Sequence, residues 1–281
     1  MSGGAEPRGE CPAAEALRRR VGVDRLEAEF AHYLEGCPTC RGLLTRKIEP
    51  PADPRALAVA IGRAFGQTPA IIQQVAAEKR AAARFLARLE AAPAERRRLV
   101  AANAPPRLRR AVCEALVERA RAQRHASVEA TLRYAELAVA AAGSLPAGEA
   151  PDARARAWAE LGNARRIASD LAGARAALEE GERIRAAEGS DPLLLPELLS
   201  LRASLAHDER HFDQAVRLLT RAARLFASAG DHRGEAKCLL QLAAVRNRVG
   251  RPQAGFDPAV RAFRIAHAAD DRHLLLMATQ T

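Results

Sequence analysis

Three stretches of this chain repeat one another, and that repeat limits the fold more than any other feature. Residues 155–184, 197–226 and 236–265 each read as a helix, a short polar turn and a second helix. The small residues Ala174, Ala215 and Gly255 fall at corresponding places, 41 and 40 residues apart. Packed helices lie about 8–10 Å apart, and antiparallel helices reach the short end of that range only where the side chains at the crossing are small. A hairpin of this kind leaves an apolar face open, so it must stack on its neighbours. A degenerate unit is expected before these three, with helices near 107–122 and 127–142.

Composition supports an all-α chain. Ala and Leu dominate, aromatic residues make up 4%, and no segment alternates apolar and polar residues as a half-buried strand does. Lysine occurs only at Lys47, Lys79 and Lys237, the rest of the 44 basic residues being arginine. That bias reads as the mark of a GC-rich bacterial genome, which weakens the net charge of +10 as a pointer to nucleic acid. The charge still favours an acidic partner. No apolar run approaches the roughly 18–20 residues needed to span a bilayer, and the first residues lack a basic-then-apolar leader. Five cysteines do not make a disulfide framework, so a cytoplasmic protein is expected.

Three zones follow from the helix breakers and the repeat: 1–50, a helical connector over 51–104, and the repeats over 105–281. Pro50, Pro51 and Pro54 mark the first boundary. Within the repeats, Trp158, Leu161, Gly162, Ala174, Leu178 and Gly181 stand at the spacing of the tetratricopeptide repeat family, which this segment resembles. The second unit keeps Phe212, Ala215, Leu219 and Ala222; the third keeps Leu242, Gly250, Gly255 and Ala262 but places Pro258 inside its second helix. The resemblance implies a helical-hairpin solenoid whose first helices line a peptide-binding concave face. Carried over position by position, that face comprises Arg156, Asn163 and Arg166, then Ser200, Ser204 and His207, then Lys237, Gln241, Asn247 and Arg248. It is polar and mostly basic, with Glu197 and Asp208 the main exceptions, and Asn163 resembles the family residue that holds a peptide's terminal carboxylate. The ligand implied is an acidic segment or a C-terminal carboxylate. Arginines that merely solvate the helices remain the alternative.

The stretch His32–Leu44, HYLEGCPTCRGLL, carries Cys37 and Cys40 in a C-x2-C knuckle, with Cys11 further upstream. Three thiolates and one imidazole, from Cys11, His32, Cys37 and Cys40, would suit a closed tetrahedral zinc site. A redox dithiol and a metal-free remnant are the other readings; the dithiol lacks the βαβ setting it normally needs. The order Cys, His, Cys-x2-Cys resembles the zinc-binding anti-sigma-factor domain of bacteria, which implies Zn2+ as cofactor and a sigma factor as partner. His32 to Cys37 is one residue longer than that family's His-x3-Cys, and Tyr33 stands where its histidine should be.

Helices within residues 55–82 could form a helix-turn-helix around Gly66-Gln67-Thr68-Pro69, and direct DNA binding is the alternative function. The start of the second helix, Pro69 to Ile72, is apolar where a recognition helix needs base-reading side chains, so two ordinary packed helices are favoured. No phosphate loop, G-x-S-x-G or H-E-x-x-H motif is present, so the expectation is a non-enzymatic regulatory adaptor. The apolar run Leu274 to Met277 reads as the opening of another unit's first helix, which predicts a truncated chain or self-association through that end.

Overall fold

Alanine-rich and leucine-rich segments form helices here, and tight turns of one recurring geometry separate them. The computed structural model describes the backbone of residues 54–280, apart from 147 and 149, and the side chains of residues 72–279 with the same two exceptions. The helices are α1 (Pro54–Ala91), α2 (Ala94–Ala102), a single 3-10 turn (Pro106–Leu108), α3 (Arg109–Gln123), α4 (Val128–Ala142), α5 (Pro151–Ile167), α6 (Leu171–Glu188), α7 (Leu194–Asp208), α8 (Phe212–Ser228), α9 (His232–Arg248), α10 (Pro252–Ala268) and α11 (Arg272–Gln280). No strand occurs among the described residues. The chain falls into two compact units, residues 1–75 and 76–281. None of the described helices is long and apolar enough to cross a membrane.

In the first unit the described backbone is helical from Pro54 on. The sequence offered a break at Gly66–Pro69, either as a helix-turn-helix or as two packed helices. The backbone makes none: α1 runs through these residues without interruption. Gly and Pro cost roughly 1 and 3 kcal/mol in a helix interior, but the alanine-rich runs on both sides propagate the helix across them.

The second unit is an all-α, tetratricopeptide-like solenoid of hairpins: α3 with α4, α5 with α6, α7 with α8, and α9 with α10. First helices touch in series, α3 to α5 to α7 to α9 to α11, and each second helix touches the next first helix. Five turns share one device. Ser169, Arg210, Gly230, Gly250 and Asp270 adopt positive φ, and the following N–H reaches back five residues, as Asp170 N does to Arg165 O at 2.9 Å. This is a Schellman ending, which satisfies the last carbonyls of one helix and aims the chain into the next. Asp170, Asp231 and Asp271 then cap the new helix by accepting from the N–H three residues on.

The repeat's small residues lie where the sequence placed them. Ala174 and Ala215 are fully buried, and a Cβ on Gly255 would stand 3.1 Å from Ala243 O. Gly162 is tighter still, with a Cβ meeting Leu178 Cγ at 2.7 Å and Ala174 O at 3.1 Å. The Pro258 departure is accommodated by a side chain. Proline has no N–H to offer Ala254 O in the preceding turn, and the Arg246 guanidinium donates to that carbonyl instead. Ahead of the hairpins, Phe85, Leu86 and Leu89 of α1 share a core with Val112 and Leu116 of α3 and Leu137 and Ala141 of α4.

Two substitutions test this account by urea denaturation. Gly162→Val forces α5 and α6 apart and should lower stability by about 1–3 kcal/mol. Arg210→Gly relieves a left-handed residue with a side chain, and after the entropic cost of glycine it should raise stability by about 0.5–1 kcal/mol.

Candidate partner-binding face

Because the first helices stack on one another, the residues they present along one side are brought into a common row. The family-derived positions Arg156, Asn163 and Arg166 lie on α5, Ser200, Ser204 and His207 on α7, and Lys237, Gln241, Asn247 and Arg248 on α9. Several of them bond between units. Ser200 Oγ donates to Gln241 Oε1 at 3.2 Å, linking α7 to α9. Ser204 Oγ instead donates back to Ser200 O at 3.1 Å within its own helix. His207 Nδ1 lies 3.2 Å from Asp208 Oδ1, and its ring meets Phe212 edge-on.

The two arginines of α5 are engaged by carboxylates. Arg156 pairs with Asp191 and donates from Nε to Glu197 Oε2 at 3.3 Å. Arg166 donates to Asp208 Oδ2 at 2.6 Å and, through Nε and Nη2, to Asn163 Oδ1 at 3.2 and 3.1 Å. Burial raises the carboxyl of Asp191, but hydrogen bonds from Arg156 and from Leu193 N–H outweigh it and hold the group below the usual aspartate range. That tie persists to lower pH than an ordinary aspartate would allow, and it is lost as acid protonates the folded carboxylate.

A ladder of charges not foreseen from sequence continues this row towards α3. Glu160 of α5 is 1% exposed and receives Arg121 Nε at 3.1 Å and Arg124 Nη2 at 3.0 Å. Arg121 Nη2 also reaches Glu197 Oε2 at 3.5 Å, so one guanidinium joins three successive first helices. A glutamate amid the alanines and leucines of a helix is the sequence signal for such a buried acid. Its partners lie 36 and 39 residues away and could not be named from spacing.

Several groups on this face keep bonding capacity, among them the buried Arg124 Nε. Asn163 is 2% exposed, and its Nδ2 has no hydrogen-bond partner among the described residues. Lys237 and Arg248 are exposed and form no ion pair among the described residues. Although the residue as a whole is exposed, partial desolvation of its ammonium pulls Lys237 below the usual lysine range, and the nearby cations Arg233, Arg124 and Arg121 pull it further against the opposing charge of Asp231. Asn247 is exposed, with Oδ1 3.2 Å from where a Cβ on Gly255 would stand, which turns it towards α10.

The sequence-derived zinc ligands Cys11, His32, Cys37 and Cys40 lie outside the described residues. Among the described residues, no three His, Cys, Asp or Glu side chains converge as a metal site would need. Cys113 and Cys238 are buried, and burial raises each thiol to about 12, so both serve as apolar core.

Replacing Glu160 by alanine should lower stability by about 3 kcal/mol, because two arginines lose a buried counter-charge. Glu114→Ala, which breaks an exposed pair with Arg110, should change it by no more than about 0.5 kcal/mol. Denaturation of the two variants side by side reads the difference.

No family model and no curated protein sequence matches the chain. Among solved structures it is similar to aspartyl phosphate phosphatase F from Bacillus subtilis, with a TM-score of 0.53 at 12% identity. The match covers 98% of this chain and 80% of that one. A likeness at that identity speaks for the fold.

Proposed function

We propose that the chain is a non-enzymatic regulatory adaptor that binds a protein partner along the first-helix face of α5, α7 and α9. The observation that carries this reading is Asn163. A buried amide donor without a partner is costly, by about 1–3 kcal/mol, and a ligand carbonyl or carboxylate arriving beside Arg166 would satisfy it. The solved neighbour is named for a phosphatase activity, and its likeness in fold supports only the use of such a solenoid as a platform.

An acidic segment or a terminal carboxylate is the ligand this face favours, with the contributions of its cations divided. Arg156 and Arg166 are already neutralised by Asp191, Glu197 and Asp208, so their reversal would disturb the solenoid as well as any ligand. Lys237 and Arg248 are the cations left to attract an acidic chain. Lys237→Glu combined with Arg248→Glu should weaken binding of a fluorescein-labelled Asp/Glu-rich peptide by about tenfold or more at low salt, with helicity unchanged. Since the Lys237 ammonium is held below the ordinary lysine range, affinity should decline on raising pH earlier than an ordinary lysine would give. Equal affinity of the parent and the double variant, or no binding by any acidic peptide, would defeat the reading.

A zinc module at residues 1–50 is part of the proposal and rests on donor chemistry alone. Three thiolates and an imidazole would hold Zn2+ in a closed tetrahedral site, and a sigma factor is the partner its resemblance suggests. One equivalent of zinc is expected after purification under reducing conditions, falling in Cys37→Ser and Cys40→Ser. Metal far below stoichiometry in the parent chain would end this part.

A further inference from the structure

Where α1 ends, it leaves an open-sided pocket with α2 and α4, lined unlike the apolar core beneath it. The pocket measures about 240 Å³ and is bounded by Leu89 and Glu90 of α1, Arg97 of α2, and Arg133, Tyr134 and Leu137 of α4. Leu89 and Leu137 are buried and form an apolar floor. The other four side chains are polar or charged and come from three helices. All six lie in the second unit.

The polar groups are partly tied and partly free. Arg97 donates from Nε to Ala92 O at 2.9 Å and from Nη2 to Glu90 O at 2.8 Å, which fixes its guanidinium against the end of α1. Its Nη1 makes no hydrogen bond among the described residues. The Tyr134 hydroxyl donates to Glu90 Oε1 at 2.9 Å, and the Arg133 guanidinium lies over the Tyr134 ring, 5.4 Å from its centre. Burial and then the Glu90 carboxylate raise the phenol above its usual range against the pull of Arg133, so it remains a donor. Glu90 Oε2 has no hydrogen bond among the described residues. Arg133 pairs only with Glu129, at 3.8 Å, and the Glu129 side chain is 91% exposed, so a ligand displaces it at little cost.

Opposite charges with spare bonding capacity therefore share one small space. A simple anion would meet the two guanidinium groups but crowd the Glu90 carboxylate. A simple cation would meet Glu90 and be repelled by both arginines. A ligand that carries both signs satisfies both ends, and the leucine floor asks for an apolar part. The volume lies below the roughly 300–1,000 Å³ of pockets that take drug-sized ligands, which favours a small metabolite over a peptide segment. An ammonium and a carboxylate on one carbon, with a short apolar side chain, describe a free amino acid.

We propose that this pocket binds a free α-amino acid with an apolar side chain, its carboxylate on Arg97 and Arg133, its ammonium on Glu90, and its side chain on Leu89 and Leu137. A peptide carries its terminal ammonium and carboxylate on different residues and meets only one end of the site. None of the lining residues belongs to the first-helix face, so the inference does not depend on the adaptor reading. The bound amino acid touches three helices and ties α1 and α2 to the first hairpin.

Isothermal titration calorimetry of the full chain with L-leucine, bracketed in size by L-alanine and L-phenylalanine, tests the proposal. Saturable binding of at least one of them is expected. The amide of that amino acid, which lacks the carboxylate, and its deamino acid, which lacks the ammonium, should bind about tenfold or more weakly. Arg133→Gln should weaken the amino acid by a similar factor with helicity unchanged. Glu90→Gln should remove the preference, so that the amino acid and its deamino acid bind to within about threefold of each other. A merely structural role for Glu90 would leave that preference intact. No binding of any of the three at about 20 mM overturns the proposal. So does an amide or deamino acid that binds the parent chain as tightly as the amino acid, or a preference that survives Glu90→Gln.

Discussion

At Gly162 a β-carbon would stand 2.7 Å from Leu178 Cγ, and the hairpin of α5 and α6 exists in its present form because none is there. Close approach is what lets a pair of short helices bury leucine and alanine on both inner faces. The following units meet the same demand with Ala203 and Ala243 at the equivalent positions, both buried, against Ala215 and Gly255. Each hairpin then offers its remaining apolar surface to the next, and contiguous cores result, such as the one joining Leu199, Leu219, Phe226, Leu239 and Leu274. Stability in such an array is close to a sum over units and the interfaces between them.

Stacking the first helices side by side creates a second constraint, because their polar residues are forced together. The chain meets it with acids placed among arginines: Glu160 beneath Arg121 and Arg124, Glu197 between Arg121 and Arg156, and Asp208 against Arg166. An arginine-rich composition is therefore not simply a solvated surface on this face. Several of its guanidinium groups are cross-links between units, and forked donors suit that role because one side chain can engage two helices. Among the described residues, the polar groups of this face left without a bond or an ion pair are fewer than the formal charge suggests: the Asn163 amide, Arg124 Nε, and the side chains of Lys237 and Arg248.

Much of the solenoid was legible in the chain itself, because a hairpin repeat writes its packing into small residues at fixed intervals. Ala174, Ala215 and Gly255 marked the helix crossings, and Trp158 to Gly181 marked the first well-formed unit. The turn at Gly66–Pro69 misled, since local breakers were outweighed by the helix formers flanking them in α1. Pro258 read as a departure, yet Arg246, twelve residues away, supplies the donor that the proline lacks. What the spacing did not show was how the charges of the first helices are paired. Arg156 and Arg166 looked available for a ligand until their carboxylate partners, brought from other helices by the stacking, were in view. Spacing within one helix cannot show pairs 35 to 42 residues apart.

Charged ties between first helices couple the units, separately from the small-residue crossings that close each hairpin. Amide hydrogen exchange on the chain and on an Arg121→Gln, Arg124→Gln variant tests this coupling most directly. Faster exchange is expected throughout the hairpin of α3 and α4, because α3 loses its tie to Glu160, while α9 and α10 keep the protection of the parent chain. Unchanged exchange in α3 and α4, or an equal loss of protection across every hairpin, would contradict it.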